Sequence, residues 1–219
     1  MGAGYTDISL APGVGLQYGI GAGYGGAGSK CDTWNQNYGR QYGQELAPVH
    51  PGSCGGFWQG EACAGGGLVR IHARSAAIDG VIDARPVVKW SDQRMYAGGS
   101  GGGIWLSASR LAFGKDAKLL ASGGASTYQS CGGGGRIAVI QTADADALAA
   151  MASGGILHKH YRVVDKSVFA ERHPGVEADV TGGSQYTEGA SSHVWIKQYG
   201  GDGTFRYLLP KPGLAIIVR

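Results

Sequence analysis

Residues 101–108 read Gly-Gly-Gly-Ile-Trp-Leu-Ser-Ala, and the chain writes this plan more than once. Upstream, residues 66–73 are Gly-Gly-Leu-Val-Arg-Ile-His-Ala; downstream, Gly-Gly-Gly-Arg-Ile-Ala-Val occupies 133–139. Aligned on the apolar alternation, Val69, Ile104 and Ile137 share one column and Ile71, Leu106 and Val139 the next, at offsets of 35 and 33 residues. Successive side chains of a strand point to opposite faces, so each column predicts an inward ladder. Glycines followed by a short alternating strand, returning at a near-fixed period, mark a stacked-repeat architecture. The expected fold is therefore all-β, a parallel β-helix (solenoid) with long loops on one side, one short helix and a C-terminal cap. A β-sandwich is the competitor, but it does not explain why the loops recur at one place in each repeat.

Working outward, the glycine content bounds the class. Glycine supplies 42 of 219 residues, nearly a fifth where about 7% is usual. The remainder argues for folding: 43% of residues are hydrophobic and only 16% charged, unlike a disordered chain. No Gly-X-Y period exists, which excludes collagen. Glycine tracts before each strand would let the backbone turn with positive φ and pack closely on its neighbour. A net charge of +3, with Lys and Arg scattered, gives no basic run to follow a phosphate backbone, so no nucleic-acid partner is expected. No apolar run approaches the ~20 residues of a membrane-spanning helix.

The whole chain, 1–219, reads as a single β-helix domain. Residues 1–140 carry the Gly-rich coils, and 141–219 a short helix, a further coil and capping strands. Residues 29–65 form a long polar loop, and a second loop spans 85–100. Residues 142–152 (TADADALAAMA) predict the helix, with Thr142 or Asp144 as cap and Gly154 and Gly155 ending it. Residues 194–197 echo the strand plan, and 205–209 with 214–218 look like closing strands. Met1-Gly2-Ala3-Gly4 runs straight into repeat-like sequence, so the chain is expected to be cut from a longer, exported polypeptide and tethered to other domains. Four cysteines without CxxC spacing fit an oxidising, extracellular or cell-surface setting. Cys31 and Cys54, within one loop, are the preferred disulfide candidates.

The segments GGGLVRIHA, IDGVIDA, GGSGGGIWLSA and GGGGRIAV resemble the Gly-rich repeats of large bacterial surface and secreted proteins. That resemblance covers residues 60–140 well. It implies right-handed parallel β-helices, of the kind seen in adhesins and in β-helical carbohydrate-binding modules attached to plant-polysaccharide-degrading enzymes. Its motifs are structural and carry over no catalytic residue.

The outward column holds Arg70, Trp105, Ala138 and, by the weaker echo, Trp195. A tryptophan facing outward on a strand offers a flat face on which a sugar ring stacks. Trp105 and Trp195, two coils apart, would stand roughly 10 Å from each other, near the two-sugar repeat of a β-1,4-linked chain such as xylan. Arg70 and His72 could bond hydroxyls, and Trp34, Trp58, Trp90 and Tyr96 on the loops could wall a groove.

Catalysis needs a different arrangement. Asp79, Asp83, Asp92 and Asp116 are spread among turns, where Asp is an ordinary turn former, and no acid pair recurs on one strand face. Residues 98–102 satisfy GxSxG but precede a strand, where a nucleophile elbow requires a following helix. No metal site is expected from His158 and His160. Residues 200–203 resemble half of a calcium-binding repeat, but once only. Calcium is thus possible but unsupported by a motif, and no other cofactor is expected. The expected function is a non-catalytic carbohydrate-binding module for a plant cell-wall polysaccharide, xylan-like and β-linked. The alternatives are a structural or adhesin segment of a bacterial surface protein, and a polysaccharide lyase or hydrolase.

Overall fold

In the computed structural model, residues 12–13, 20–29, 38–56, 63–87, 97–126, 130–154, 161–184 and 199–211 are described. Among these residues eight strands and two helices follow in chain order. They are β1 Leu68–Ile78, β2 Val81–Asp83, β3 Gly103–Phe113, β4 Lys118–Leu120, β5 Arg136–Ile140, α1 Ala145–Ala152, β6 Tyr161–Val164, α2 Lys166–Arg172, β7 Glu177–Asp179 and β8 Thr204–Pro210. They form a five-stranded sheet ordered β1-β3-β5-β8-β6 and a three-stranded sheet ordered β2-β4-β7.

The two predicted columns are present as register pairs. Val69 stands opposite Ile104, Ile104 opposite Ile137 and Ile137 opposite Phe205. Ile71, Leu106, Val139 and Tyr207 form the second row. Residues 205–209, expected as a capping strand, are thus the fourth parallel strand of the large sheet; their expected partner at 214–218 lies outside the described residues. The weaker echo at 194–197 lies outside the described residues.

The fold class differs from the expectation. An all-β right-handed parallel β-helix has no place for what the last third supplies: the second helix α2, and a strand, β6, that runs antiparallel to β8. The described residues are a mixed α/β fold with two separate sheets, and no solenoid. A repeat in the strands does not dictate what the intervening chain does, and here it does not wind.

The sheets enclose the main core. Ile104, Leu106, Ile137, Val139, Phe205, Tyr207 and Leu209 from the large sheet meet Leu119 and Ala178 from the small one. Each such aliphatic side chain contributes about 1.5–3 kcal/mol when fully buried. α2 closes one flank through Phe169, whose ring lies 5.5 Å from Phe113, 4.9 Å from Phe205 and 5.2 Å from Tyr207. His173, just past α2, packs against the same rings, and its Nε2 lies 3.2 Å from the Tyr207 hydroxyl. Burial and the neighbouring Arg172 lower its pKa.

α1 forms where the sequence predicts it. Asp144 is the N-cap and accepts from the amides of Asp146 and Ala147, which satisfies two of the amides a helix start leaves orphaned. Gly154 follows the C-cap with a φ of 81°, the left-handed position that favours glycine. Its buried residues Ala147, Leu148 and Met151 lie against the outer face of the large sheet, with Trp105, Ala138, Ile140, Leu208 and Ala47. The order of layers is α1, large sheet, core, small sheet.

The glycine tracts form a further body of structure that is neither sheet nor helix. Residues 130–135 bond to five stretches at once. Ser29 N donates to Cys131 O and Gly133 N to Ala22 O; Gly98 N donates to Ser130 O and Gly101 N to Gly133 O. Gly132 N donates to Gly124 O and Gly135 N to Ala121 O; Gly134 N donates to Gly201 O, and Gly183 N to Gly132 O. A strand in a sheet has two neighbours. Backbone groups pointing in three directions are what an extended chain with three residues per turn presents, and neighbours can then approach from every side.

Only glycine permits that approach. A Cβ on Gly102 would stand 1.9 Å from Gly67 O, on Gly101 1.9 Å from Ala121 O, and on Gly135 2.1 Å from Gly102 O. Of the two roles expected of these tracts, close packing is what the structure shows; positive φ is confined among the described glycines to Gly43, Gly154 and Gly175. The tracts need glycine for its missing side chain, not for its dihedral freedom. Gly102→Ala should therefore cost at least about 2–3 kcal/mol, because the obstacle is backbone and cannot swing aside. Gly80, with nothing within 4 Å of a Cβ, should accept Ala within about 0.5 kcal/mol. Urea unfolding of the two variants checks the contrast; equal midpoints would contradict it.

Candidate functional site

The outer face of the large sheet decides what the expected binding residues can do. Arg70, Trp105, Ala138 and Arg206 stand side by side across β1, β3, β5 and β8. Trp105, the expected sugar platform, is 1% exposed. α1 lies over it with Leu148 and Met151, and residues 46–49 close the rest through Leu46, Ala47 and Val49. Its indole faces outward as expected but is buried beneath this cover, which corrects the reading of an exposed platform. The reason is legible in its neighbours: Ile137-Ala138-Val139-Ile140 is an unbroken apolar run buried on both faces, the pattern of a strand covered from two sides.

The cover is pinned by two arginines. Arg136 is buried, and its guanidinium donates twice to Tyr42 O, at 3.0 and 2.8 Å, and to Thr204 Oγ1 at 3.0 Å. Desolvation lowers its pKa, opposed by nearby Tyr24 and Glu45. Arg206 Nε donates to Glu45 Oε2 at 2.9 Å. These bonds draw residues 42–45 down onto the sheet, so part of the loop expected to display binding aromatics serves as a lid.

Among the described residues, most of what remains exposed on this face lies along β1. Arg70 holds its guanidinium 4.4 Å from the centre of the Trp105 ring, a cation–π contact on the rim of the covered zone. His72 is exposed, with Nδ1 2.8 Å from Ser107 Oγ. Arg74 and, on β3, Arg110 extend the same basic row. Among the described residues Arg70, Arg74 and Arg110 have no ion-pair partner, and neither strand contains an acid. The sequence reading takes Arg70 and His72 and misses Arg74 and Arg110; the period-2 recurrence at 70, 72 and 74 was the available signal. Trp34, Trp58, Trp90, Tyr96 and Trp195 lie outside the described residues, as do Cys31, His158 and His160.

The other polar groups singled out in the sequence, where they are described, are engaged within the fold. Ser100, centre of the GxSxG match, is buried and accepts a 2.8 Å bond from Ser53 N through its Oγ. Asp83 is paired with Arg85 at 2.7 Å, and this bond holds its carboxyl below the usual range. Asp79 accepts from Asp116 N, joining two turns. Cys54 and Cys131 are buried, and burial pushes the Cys131 thiol up to about 11, which suppresses the reactive thiolate. Among the described residues no group of three His, Cys, Asp or Glu side chains could hold a metal ion, and no helix is long and apolar enough to cross a membrane.

The chain matches no family model, no curated protein and no solved structure.

With Trp105 in a sealed layer, its truncation is a cavity mutation. Trp105→Ala should destabilise the fold by about 3–5 kcal/mol, whereas Arg70→Ala, which removes only an exposed cation–π contact, should cost about 0.5–1 kcal/mol. Chemical unfolding distinguishes them; a Trp105→Ala midpoint at or above that of Arg70→Ala would place the indole outside the core.

Proposed function

We propose that the chain is a rigid, non-catalytic structural module of a larger extracellular or cell-surface protein. The supporting observation is the glycine layer, in which backbone bonds run between stretches as far apart in sequence as Ala22 and Gly98, and Gly134 and Gly201. A body held by main-chain contacts with Cβ-free spacing has little slack and leaves the outer faces of its sheets free to vary. That is the property a stalk or adhesive segment needs.

Polysaccharide binding is the second reading, favoured by Arg70, whose guanidinium lies over the Trp105 ring beside exposed His72. It has lost its central platform, and the two-sugar spacing that pointed to xylan went with Trp105. Affinity electrophoresis against xylan, glucomannan and β-glucan separates the readings. The structural reading predicts unchanged mobility in all three gels, and a single cooperative force peak when the domain is stretched between its ends. Retardation by one polymer, abolished in Arg70→Ala/His72→Ala, would replace the stalk with a glycan-binding module. Gradual yielding without a force peak would remove the structural reading itself.

A further inference from the structure

Both sheets stop at the same end of the molecule. β1 closes the order of the large sheet and β2 that of the small one. Among the described residues the inward columns lose their cover there. Ile104, Leu106 and Leu119 are buried to within 1%, while their neighbours Ile71 and Ile82 are only partly buried. Leu68, Val81 and Val87, on or beside these two strands, are 37%, 58% and 46% exposed. Among the described residues β3 alone pairs with β1, so about half of the main-chain groups along its eleven residues face outward.

An edge of this length, open among the described residues, is a template for another strand. Its charge selects which one. Arg70, His72 and Arg74 recur at every second residue of β1, roughly 6.6 Å apart along the strand. Arg110 adds a fourth basic group at the register partner of Ser75. Arg70 is fixed over Trp105 and His72 is held to Ser107, so two members of the row are positioned before any partner arrives. A second copy of this chain pairing edge to edge would set like charges against each other, which destabilises a sheet. A strand carrying carboxylates at alternate positions would meet the row instead. Its intervening apolar residues would continue the columns of Val69 and Ile71 over the uncovered core.

We propose that the β1 edge accepts an extended acidic peptide segment of a partner protein, alternating carboxylate and apolar residues, as an additional strand of the large sheet. The inference goes beyond the structural reading and rests on the sheet edge alone, so the force and electrophoresis outcomes neither support nor remove it.

The probe is a fluorescent nonapeptide alternating glutamate and valine, titrated by anisotropy at low salt. Controls are a peptide of the same composition with its glutamates and valines in two blocks, an alternating peptide with N-methyl groups on every second amide, and polygalacturonate as competitor. Binding of the alternating peptide should be at least tenfold tighter than that of either control peptide. It should weaken at least tenfold in Arg70→Glu/Arg74→Glu, and by a smaller factor in Arg74→Glu, which leaves the contact with Trp105 intact. Equal affinity for the block or N-methylated peptide would overturn the proposal, since charge alone would then account for binding. So would displacement by polygalacturonate at equal carboxylate concentration, which would make the row a site for acidic glycans.

Discussion

Carbonyl oxygens about 2 Å from where a Cβ would stand at Gly66, Gly101, Gly102 and Gly135 set the terms for the rest of the molecule. Those positions lie immediately before β1, β3 and β5, so the close backbone contact fixes where each strand begins. The offset between successive strands, and with it the stacking of Val69 on Ile104 on Ile137, follows from that anchoring. Hydrogen bonds in the layer are worth roughly 1 kcal/mol each when made, but a buried amide left without its partner costs 1–3 kcal/mol. A single inserted methyl would open several at once, which makes the layer cooperative rather than a set of independent loops.

The large sheet is consequently asked to bury two faces. Its inner face meets the small sheet across an aliphatic and aromatic core, and its outer face, from Trp105 to Leu208, is apolar and needs a second cover. α1 and residues 46–49 supply it, and Arg136 and Arg206 hold that cover through Tyr42 and Glu45. Cover ends at β1. The polar surface left there is basic because every outward residue from Arg70 to Arg74 is Arg or His, and it borders a core that, among the described residues, has no closing strand.

Several of these features were legible in the residues and others were not. The ladders of Val69 and Ile71 are period-2 patterns repeated at constant offset, a signal strong enough to give register. The cap at Asp144 and the stop at Gly154 likewise announce α1. β8 was harder: Phe205 and Tyr207 replace aliphatic ladder members, and Pro210 and Pro212 suggest an ending, although the Gly200–Gly203 tract repeats the lead-in of earlier strands. α2 has no side-chain hydrogen bond at its N-cap and is anchored by Phe169, so nothing local marks it. Trp105 was misread because alternation assigns a side, and not what lies on that side; that knowledge came from Ala138 and Ile140 next to it. The glycines show the deepest limit, since composition counts them without saying whether φ or the missing Cβ is needed.

Native-state hydrogen exchange, resolved by residue, tests the glycine layer most directly. These tracts carry no regular secondary structure, and solvated extended chain exchanges its amides freely. If backbone bonds between tracts hold the fold, the amides of Gly101, Gly133, Gly134 and Gly135 should exchange as slowly as those of Ile104 and Ile137, through global unfolding. Exchange of those four glycines at the rate of exposed loop, with the strands still protected, would contradict the account.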